Sequence, residues 1–581
     1  MQKAQKELPL QRTRLRIISG CILFVVIIFI AKLFLVQIVH GNSFAEKADR
    51  QYVTPAGSVF NRGSIYFSTK EGEKVSAATL TVGYKLALAP DKIIDPVSVY
   101  DALAPLAEFE RESFIAKASK KNDPYEEISD RLDEETADAI TALDIEGVRL
   151  YKNKWRSYPG NTLAAQVIGF VGYQGDAFTG RYGIERQYES VLERKDPNLY
   201  VNFFAEVFAN LGSLLGDDEN REGDIILTIE PNVQTYFETA LEDVREKWSS
   251  DTVGGIIMNP KTGEIYAMAQ APSFSLNNYG DVDDISVFNN PHVQSVFEMG
   301  SIVKPIIVAS ALDLGVITAE TSYNDNGSVV VGDRTIWNFD KKGRGRTTMQ
   351  GVLNESLNTG MVFISQQMKK KDMKEYLYNF GFAEKTNIDL PGEVNNLVSN
   401  LDSNRDVEYA NIAFGQGIAL TPMTMIQSLA VLANGGQKVQ PHIVKEIEYT
   451  NGFDKKIEHK PLEQVITKES ADEITRMLVE VVDSTLLGGK AKLDYYSIAA
   501  KTGTAQIPQP TGGYYSDRNL HSFFGYFPAY NPQFIVFLYT EYPKGARYSS
   551  QTLAPPFMET AKFLLNYYDI PPDRAPSTVT Q

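Results

Sequence analysis

The feature that most limits what this chain can become lies near its start. Ile17 to Val39 is an apolar run of 23 residues carrying one charge, Lys32. As a helix rising ~1.5 Å per residue it would be ~34 Å long, enough to cross a hydrocarbon core of ~30 Å. Lys32 falls toward its far end, where its stem would carry the ammonium to the interface. Lys3, Lys6, Arg12, Arg14 and Arg16, against Glu7, precede the run. Basic residues on that side place a tail of residues 1–16 in the cytoplasm. The run is too long for the apolar core of a signal peptide, and no small-x-small cleavage site follows it. The sequence therefore predicts a single-pass anchor over residues 17–39 in the cell (inner) membrane, with the rest of the chain extracytoplasmic.

That exterior portion must fold without covalent help. The only cysteine among 581 residues, Cys21, sits inside the apolar run, so disulfides and thiol-metal chemistry outside it are excluded. Hydrophobic residues make up 43% of the chain, enough to build a sizeable core rather than a disordered or fibrous chain. The formal net charge is −16, and no basic domain offsets it, which argues against a nucleic-acid partner. His40, His292, His442, His459 and His521 are scattered, with no HExxH pattern, so neither a metal nor another cofactor is expected. Phosphate-cradling GxxxxGK[ST] and GxGxxG loops are likewise missing from the sequence.

The exterior portion changes texture at Asp224. Residues 40–223 mix short strands (Gly63 to Phe67, Lys74 to Ala89), acid-rich helical stretches (Val97 to Lys120, Asp133 to Leu143) and glycine-punctuated loops near Gly169 to Gly172 and Gly180 to Glu185. Leu199 to Leu215 is a second apolar run, which reads as a helix packed on this region or a partner, or as a segment dipping into the membrane surface. Residues 224–570 open with a strand, an amphipathic helix at Val233 to Trp248, and a hairpin around Asn259-Pro-Lys-Thr-Gly263. Helices dominate 300–440. Strands return at Tyr495 to Gln506, Ser522 to Phe527 and Gln533 to Tyr539, followed by a helix at Pro556 to Leu565. Strands at both ends with helices between predict an α+β domain whose antiparallel sheet is assembled from its two ends around a helical subdomain. The tail, 571–581, is proline-rich and expected to be disordered.

Chemistry enters at Ser301-Ile-Val-Lys304, the only S-x-x-K in the chain. At i and i+3 of a helix the hydroxyl and the amine share a face. A serine needs a base to become a nucleophile, and a lysine serves only if burial or another cation lowers its pKa. Both residues lie in an apolar run, where an unpaired ammonium would be costly. Two S-x-N tripeptides follow this logic, Ser275-Leu-Asn277 and Ser356-Leu-Asn358, and two K-T-G tripeptides, Lys261-Thr-Gly263 and Lys501-Thr-Gly503. Lys261 falls in the hairpin turn. Lys501 instead reads as strand, with Gly503 leaving an edge where a substrate backbone could pair closely.

Ordered S-x-x-K, S-x-N and K-T-G resemble the signature of penicillin-binding proteins and serine β-lactamases. Asn259-Pro-Lys-Thr-Gly263, Phe414-Gly-Gln-Gly417 and Phe523-Phe-Gly-Tyr-Phe527 are similar to segments of their transpeptidase domain. Tyr158-Pro-Gly160, Ala165 to Gly172 and Tyr182-Gly-Ile-Glu185 look like the pedestal of class B, the monofunctional transpeptidases. Met299 stands where the family usually has proline, and Leu357 where class A β-lactamases commonly have aspartate. The resemblance implies a transmembrane helix, a pedestal over 40–223 and a transpeptidase domain over 224–570. It implies Ser301 as nucleophile, Lys304 as base and Ser356 as proton relay. Asn358, Lys501, Thr502, Gly503 and Thr504 would bind substrate, with Lys501 staying protonated. The backbone N–H groups of Ser301 and Thr504 would form the oxyanion hole. The implied activity is D,D-transpeptidation of D-Ala-D-Ala stem peptides in cell-wall synthesis, blocked by β-lactams, beside a membrane glycosyltransferase partner. A D,D-carboxypeptidase or β-lactamase-type hydrolase, or a non-catalytic β-lactam-binding scaffold, would share the trio. A role in division or in elongation is left open.

Overall fold

A computed structural model describes residues 61–175, 177–194, 222–457 and 463–575. The expected anchor, 17–39, and the apolar run at 199–215 lie outside the described residues. Among those described, no helix is long and apolar enough to cross a membrane. The described residues fall into two compact units, one holding Thr81–Trp155 and the other Arg62–Leu80 with residues 156–575.

In the first unit the outer half of strand Lys74–Leu88 pairs antiparallel with Glu126–Leu132, Leu88 lying opposite Glu126. The sequence reads as one helix over Val97 to Lys120. The structure instead makes two, Pro96–Leu103 and Arg111–Ala118. Pro105 has no N–H to continue the first. The second restarts where the Glu110 carboxylate accepts the N–H groups of Glu112 and Ser113. Leu86, Leu88, Leu103, Phe114 and Ile140 form the core of this unit.

In the second unit, strand Ile65–Ser68 pairs antiparallel with the inner half of Lys74–Leu88 and parallel with Gly223–Leu227. The same unit holds a buried ion cluster. Glu185 is fully buried and accepts from Arg62 Nε at 2.6 Å and from Arg156 Nε at 2.6 Å. The Tyr158 hydroxyl adds a third bond at 3.2 Å. Burial alone would raise the Glu185 carboxyl, but Arg156 and Arg62 outweigh it and hold it below its ordinary value. The stretch Gly180 to Glu185, which reads as loop, is the end of the hairpin Val171–Gln174/Ala177–Gly180 and the start of helix Gly183–Gln187. The ion cluster supplies the tertiary reason for that order.

A five-stranded sheet and its helices follow in chain order: α1 (Pro231–Trp248), β1 (Thr252–Met258), β2 (Ile265–Ala271), α2 (Lys304–Asp313), α3 (Asn358–Gln367), α4 (Lys468–Ser484), β3 (Ala499–Pro508), β4 (Tyr514–Phe527), β5 (Phe534–Glu541) and α5 (Ala554–Tyr567). The strand order is β3-β4-β5-β1-β2, antiparallel throughout. Strands from both ends of the segment thus meet in one sheet, and β3 forms an edge. Alternation sorts the side chains. Phe523, Val536 and Leu538 pack with Phe237 and Phe557 of α1 and α5. Phe524, Tyr526, Phe537 and Tyr539 belong to the core on the opposite face, with Ile306 of α2 and Leu478 of α4.

Two expectations change. β4 begins at Tyr514, not Ser522, because Tyr514 to Asn519 extends a hairpin with β3 beyond the core, where its polar residues read as loop. The tail expected to be disordered from Pro571 is held through residue 575. The Asp573 carboxylate accepts the Ser497 N–H at 2.7 Å, and Arg574 pairs with Asp483 at 2.9 Å.

Glu185→Gln leaves the buried Arg156 guanidinium without a counter-charge and Arg62 with Glu189 alone, and should cost about 3–5 kcal/mol of stability at neutral pH. The folded Glu185 carboxyl is lowered, so its contribution is complete above the ordinary carboxylate value and fades as pH falls through the folded value. Denaturant titrations at neutral and acidic pH should therefore show the gap to wild type narrowing in acid. A constant gap would remove the charge from the explanation.

Candidate active site

The site begins with a helix that is apolar on all sides. Lys304 to Ala311 of α2 are all buried, and Lys304 is fully so. A helix without a polar face belongs in the interior, so its first residue takes a lysine there with it. Ser301 precedes it in a short 3₁₀ turn, Gly300–Val303, rather than on the α-helix itself. Gly300 has φ +63°, and a Cβ there would lie 2.8 Å from the Thr504 carbonyl oxygen. Its N–H donates to Gly415 O at 3.1 Å, and Ser522 Oγ donates to Met299 O at 2.7 Å. The turn is thus pinned from two sides.

Lys304 Nζ lies 2.6 Å from Ser356 O, 2.8 Å from Asn358 Oδ1 and 3.3 Å from Ser356 Oγ. Lys501 Nζ donates to Ser356 Oγ at 2.9 Å and to Thr502 O at 3.0 Å. Ser356 Oγ therefore stands between two amines. Burial first, and then the charge of Lys501, drives the Lys304 amine well below its ordinary value. Burial brings Lys501 down to about 7. The expectation of a permanently charged Lys501 is thereby qualified: burial works against its charge in the free site. This arrangement suits a neutral Lys304 that donates to Ser356 O and Asn358 Oδ1 and accepts from the Ser356 hydroxyl, with the Lys501 ammonium donating to that hydroxyl.

Ser356 is held in an unusual backbone state, φ +54°, between helix Met349–Asn354 and α3. A non-glycine residue there is uncommon and strained, a feature concentrated at functional sites. Leu357 is fully buried and contributes packing only. Asn358 opens α3, and its Nδ2 donates to Trp337 O at 3.0 Å. Both ends of this amide are engaged within the protein, so it positions Lys304 as well as facing the cleft.

The edge strand β3 carries Lys501, Thr502, Gly503 and Thr504. Gly503 has a packing reason beside the expected one. An added Cβ would lie 2.3 Å from Ser522 Oγ and 2.8 Å from Met299 O. The glycine lets β3 pass against the nucleophile turn, a requirement that stands whether or not a substrate backbone pairs with this edge. Thr504 Oγ1 accepts the Ser549 N–H at 3.3 Å. Ser301, Ser356, Asn358, Lys501, Thr502 and Thr504 all line one open cleft of about 920 Å³.

The second copies of the motifs lie elsewhere. Ser275 Oγ donates to Asn161 Oδ1 at 2.6 Å, and Asn277 bonds the backbone of Tyr158. Lys261 sits in the β1–β2 turn with its Nζ on Asn531 Oδ1 at 2.5 Å. Sequence reasoning missed Glu298, whose carboxylate accepts from the Tyr514 hydroxyl at 3.0 Å and the Gly417 N–H at 3.2 Å. It ties the β3–β4 hairpin to the nucleophile turn. Burial raises its carboxyl. No local pattern announces it, since both partners are more than a hundred residues away.

A family model described as the penicillin binding protein transpeptidase domain matches residues 253–561. One described as the penicillin-binding protein dimerisation domain matches residues 60–202. The chain belongs to the penicillin-binding protein family and, having this second domain upstream, to its class B. It is 30% identical to stage V sporulation protein D of Bacillus subtilis, over 92% of this chain and 83% of that one. It is 27% identical to the peptidoglycan D,D-transpeptidase FtsI of Buchnera aphidicola, over 95% and 94%. Among solved structures, penicillin-binding protein 2X of Streptococcus thermophilus aligns with a TM-score of 0.70 at 20% identity, over 88% of this chain and 81% of that one. Penicillin-binding protein 3 of Mycobacterium tuberculosis, complexed with aztreonam, aligns at 0.66 and 22%, over 90% and 100%.

Lys261→Ala should leave penicillin acylation unchanged, whereas Lys501→Ala should slow it by orders of magnitude. For wild type, acylation should fall in acid as Lys304 gains a proton, and in alkali as Lys501 loses its own. Lys501→Arg should lift the alkaline limb, because a guanidinium stays charged. Rates across the pH range with a fluorescent penicillin decide. Equal effects at Lys261 and Lys501 would refute the assignment.

Proposed function

We propose that this chain is a peptidoglycan D,D-transpeptidase acting through a serine acyl-enzyme, with Ser301 as nucleophile. The observation that carries this reading is the Lys304–Ser356–Lys501 arrangement, in which a fully buried amine with a lowered pKa and a second amine meet on the strained Ser356 hydroxyl, which with Lys501 and Ser301 lines the cleft. Ser301 Oγ attacks the carbonyl of the penultimate D-Ala while neutral Lys304 takes its proton. The developing oxyanion is held by the N–H groups of Ser301 and Thr504. The C–N bond then breaks, and a proton passes from Lys304 through Ser356 Oγ to the departing D-Ala amine. Lys501, with the hydroxyls of Thr502 and Thr504, binds the terminal carboxylate, and that anion holds Lys501 protonated. Asn358 keeps Lys304 in place and meets the substrate amide. An amine from a neighbouring stem peptide finally displaces Ser301, forming the cross-link and restoring the hydroxyl.

A β-lactam offers its ring carbonyl to the same Ser301, so it acylates the enzyme in place of substrate. Mass spectrometry of the penicillin adduct should place it on Ser301, and Ser301→Ala should abolish labelling with an unchanged melting temperature. An adduct on Ser356 or Ser275 would overturn the assignment.

The finer arrangement is part of the same reading. Residues 17–39 anchor the chain in the cell membrane with residues 1–16 cytoplasmic, residues 40–223 form the pedestal, and residues 224–570 the transpeptidase domain beside a membrane glycosyltransferase. The lone charge in an apolar run of 23 residues supports the anchor. Protease added to spheroplasts should digest the bulk of the chain. Full protection of residues beyond 40 would reverse the topology.

A further inference from the structure

A buried carboxylate lies behind the S-x-N motif, outside the catalytic cleft. Asp325, at the end of strand Ser322–Asp325, is 2% exposed. Its Oδ1 accepts the Gly327 N–H at 2.9 Å and the Thr359 hydroxyl at 2.8 Å. Its Oδ2 accepts the Arg344 N–H at 2.9 Å. Asn338 Nδ2 lies 3.0 Å from both oxygens. The Arg344 guanidinium is engaged with Asp340 and Glu355 instead. The fold thus places an anion in its interior on neutral donors, two of them from the backbone, an arrangement whose desolvation cost has to be offset by those bonds.

The outcome of this network is the geometry of Asn358. α3 starts at Asn358, and the residue before it, Leu357, has no side chain able to cap the helix. The missing cap comes from a distant residue, because Asn338 Oδ1 accepts the Thr359 N–H at 3.2 Å. Asn338 is oriented by Asp325. The residue next to Asn338, Trp337, presents the carbonyl that accepts Asn358 Nδ2 at 3.0 Å. Asn358 Oδ1 in turn receives Lys304 Nζ at 2.8 Å. Asp325 therefore orders both sides of the amide that holds the proposed base.

We infer that Asp325 is a positioning residue for acylation, acting through Asn338 and Asn358 to fix the Lys304 amine against Ser356. The inference rests on the reading of Ser301 and Lys304 given above. Misplacement of a reacting group by about 1 Å costs roughly a hundredfold. The effect should therefore fall on the chemical step more than on initial binding.

The test uses the full chain in detergent and benzylpenicillin as the probe, with the acylation rate constant separated from the non-covalent dissociation constant. Asp325→Asn replaces one acceptor oxygen with an NH2 donor that faces groups which are themselves donors. It should lower the acylation rate constant roughly ten- to hundredfold with a much smaller change in the dissociation constant. The signature of an action through Asn358 is non-additivity. In an Asn358→Ala background, Asp325→Asn should add little further loss. Asn338→Ala removes the link while leaving Asp325 its two backbone donors and Thr359. It should reproduce the loss in a folded protein if Asp325→Asn does not fold. Additive losses, or wild-type acylation in folded Asp325→Asn or Asn338→Ala, would overturn the inference. Absence of a Ser301 adduct in wild type would instead overturn the underlying reading.

Discussion

An amine buried at the start of an all-apolar helix is the constraint on which the rest of the site depends. Lys304 cannot keep both its charge and its place in α2 without compensation. The fold meets this in two ways. It supplies Ser356 O and Asn358 Oδ1 as acceptors, and it brings Lys501 near enough to disfavour a second charge. The low pKa that makes Lys304 useful as a base is thus the direct result of its burial. Asn358, Ser356 and β3 are located where they are because the amine needs them.

The same economy governs the nucleophile turn. Ser301 is held by contacts from elements far apart in the chain: Ser522 of β4 on Met299 O, Gly415 on the Gly300 N–H, and Gly503 passing close beneath. Each contact is backbone to backbone or backbone to a short side chain, which gives little freedom to adjust. Rigid support of this kind keeps reacting atoms in register without reorganisation during the reaction. Glu298 and Asp325 extend it outward, one to the β3–β4 hairpin and the other to Asn338, just past strand Arg334–Trp337. Neither touches the cleft chemistry directly.

The ion cluster of Arg62, Arg156 and Glu185 does for the base of this unit what the lysine network does for the cleft. Three chain segments distant in sequence meet on one buried carboxylate. Tyr158 and Glu185 were legible within segments similar to a class B pedestal; Arg62 and Arg156 were not. The meeting point was not legible either, because charge pairing across 123 residues leaves no local periodicity.

Much of the architecture was legible from residue patterns. The i, i+3 spacing of Ser301 and Lys304 and the hairpin chemistry of Asn259 to Gly263 are local, and local geometry follows from local sequence. The strands at Ser522 to Phe527 and Gln533 to Tyr539 are local too, whereas the faces that Phe523 and Phe524 occupy emerge only in the folded sheet. Other features needed the folded chain. The choice between the two S-x-N and two K-T-G copies became geometric only when β3 was found at the edge of the sheet and Lys261 on Asn531. The left-handed backbone of Ser356, the lowered pKa of Lys501 and the packing role of Gly503 all arise from neighbours brought in from elsewhere. Sequence alone determined which groups could do the chemistry, since hydroxyl, amine and glycine are properties of residues. Tertiary structure decided which of them do, because pKa, strain and close approach depend on what surrounds a residue in space.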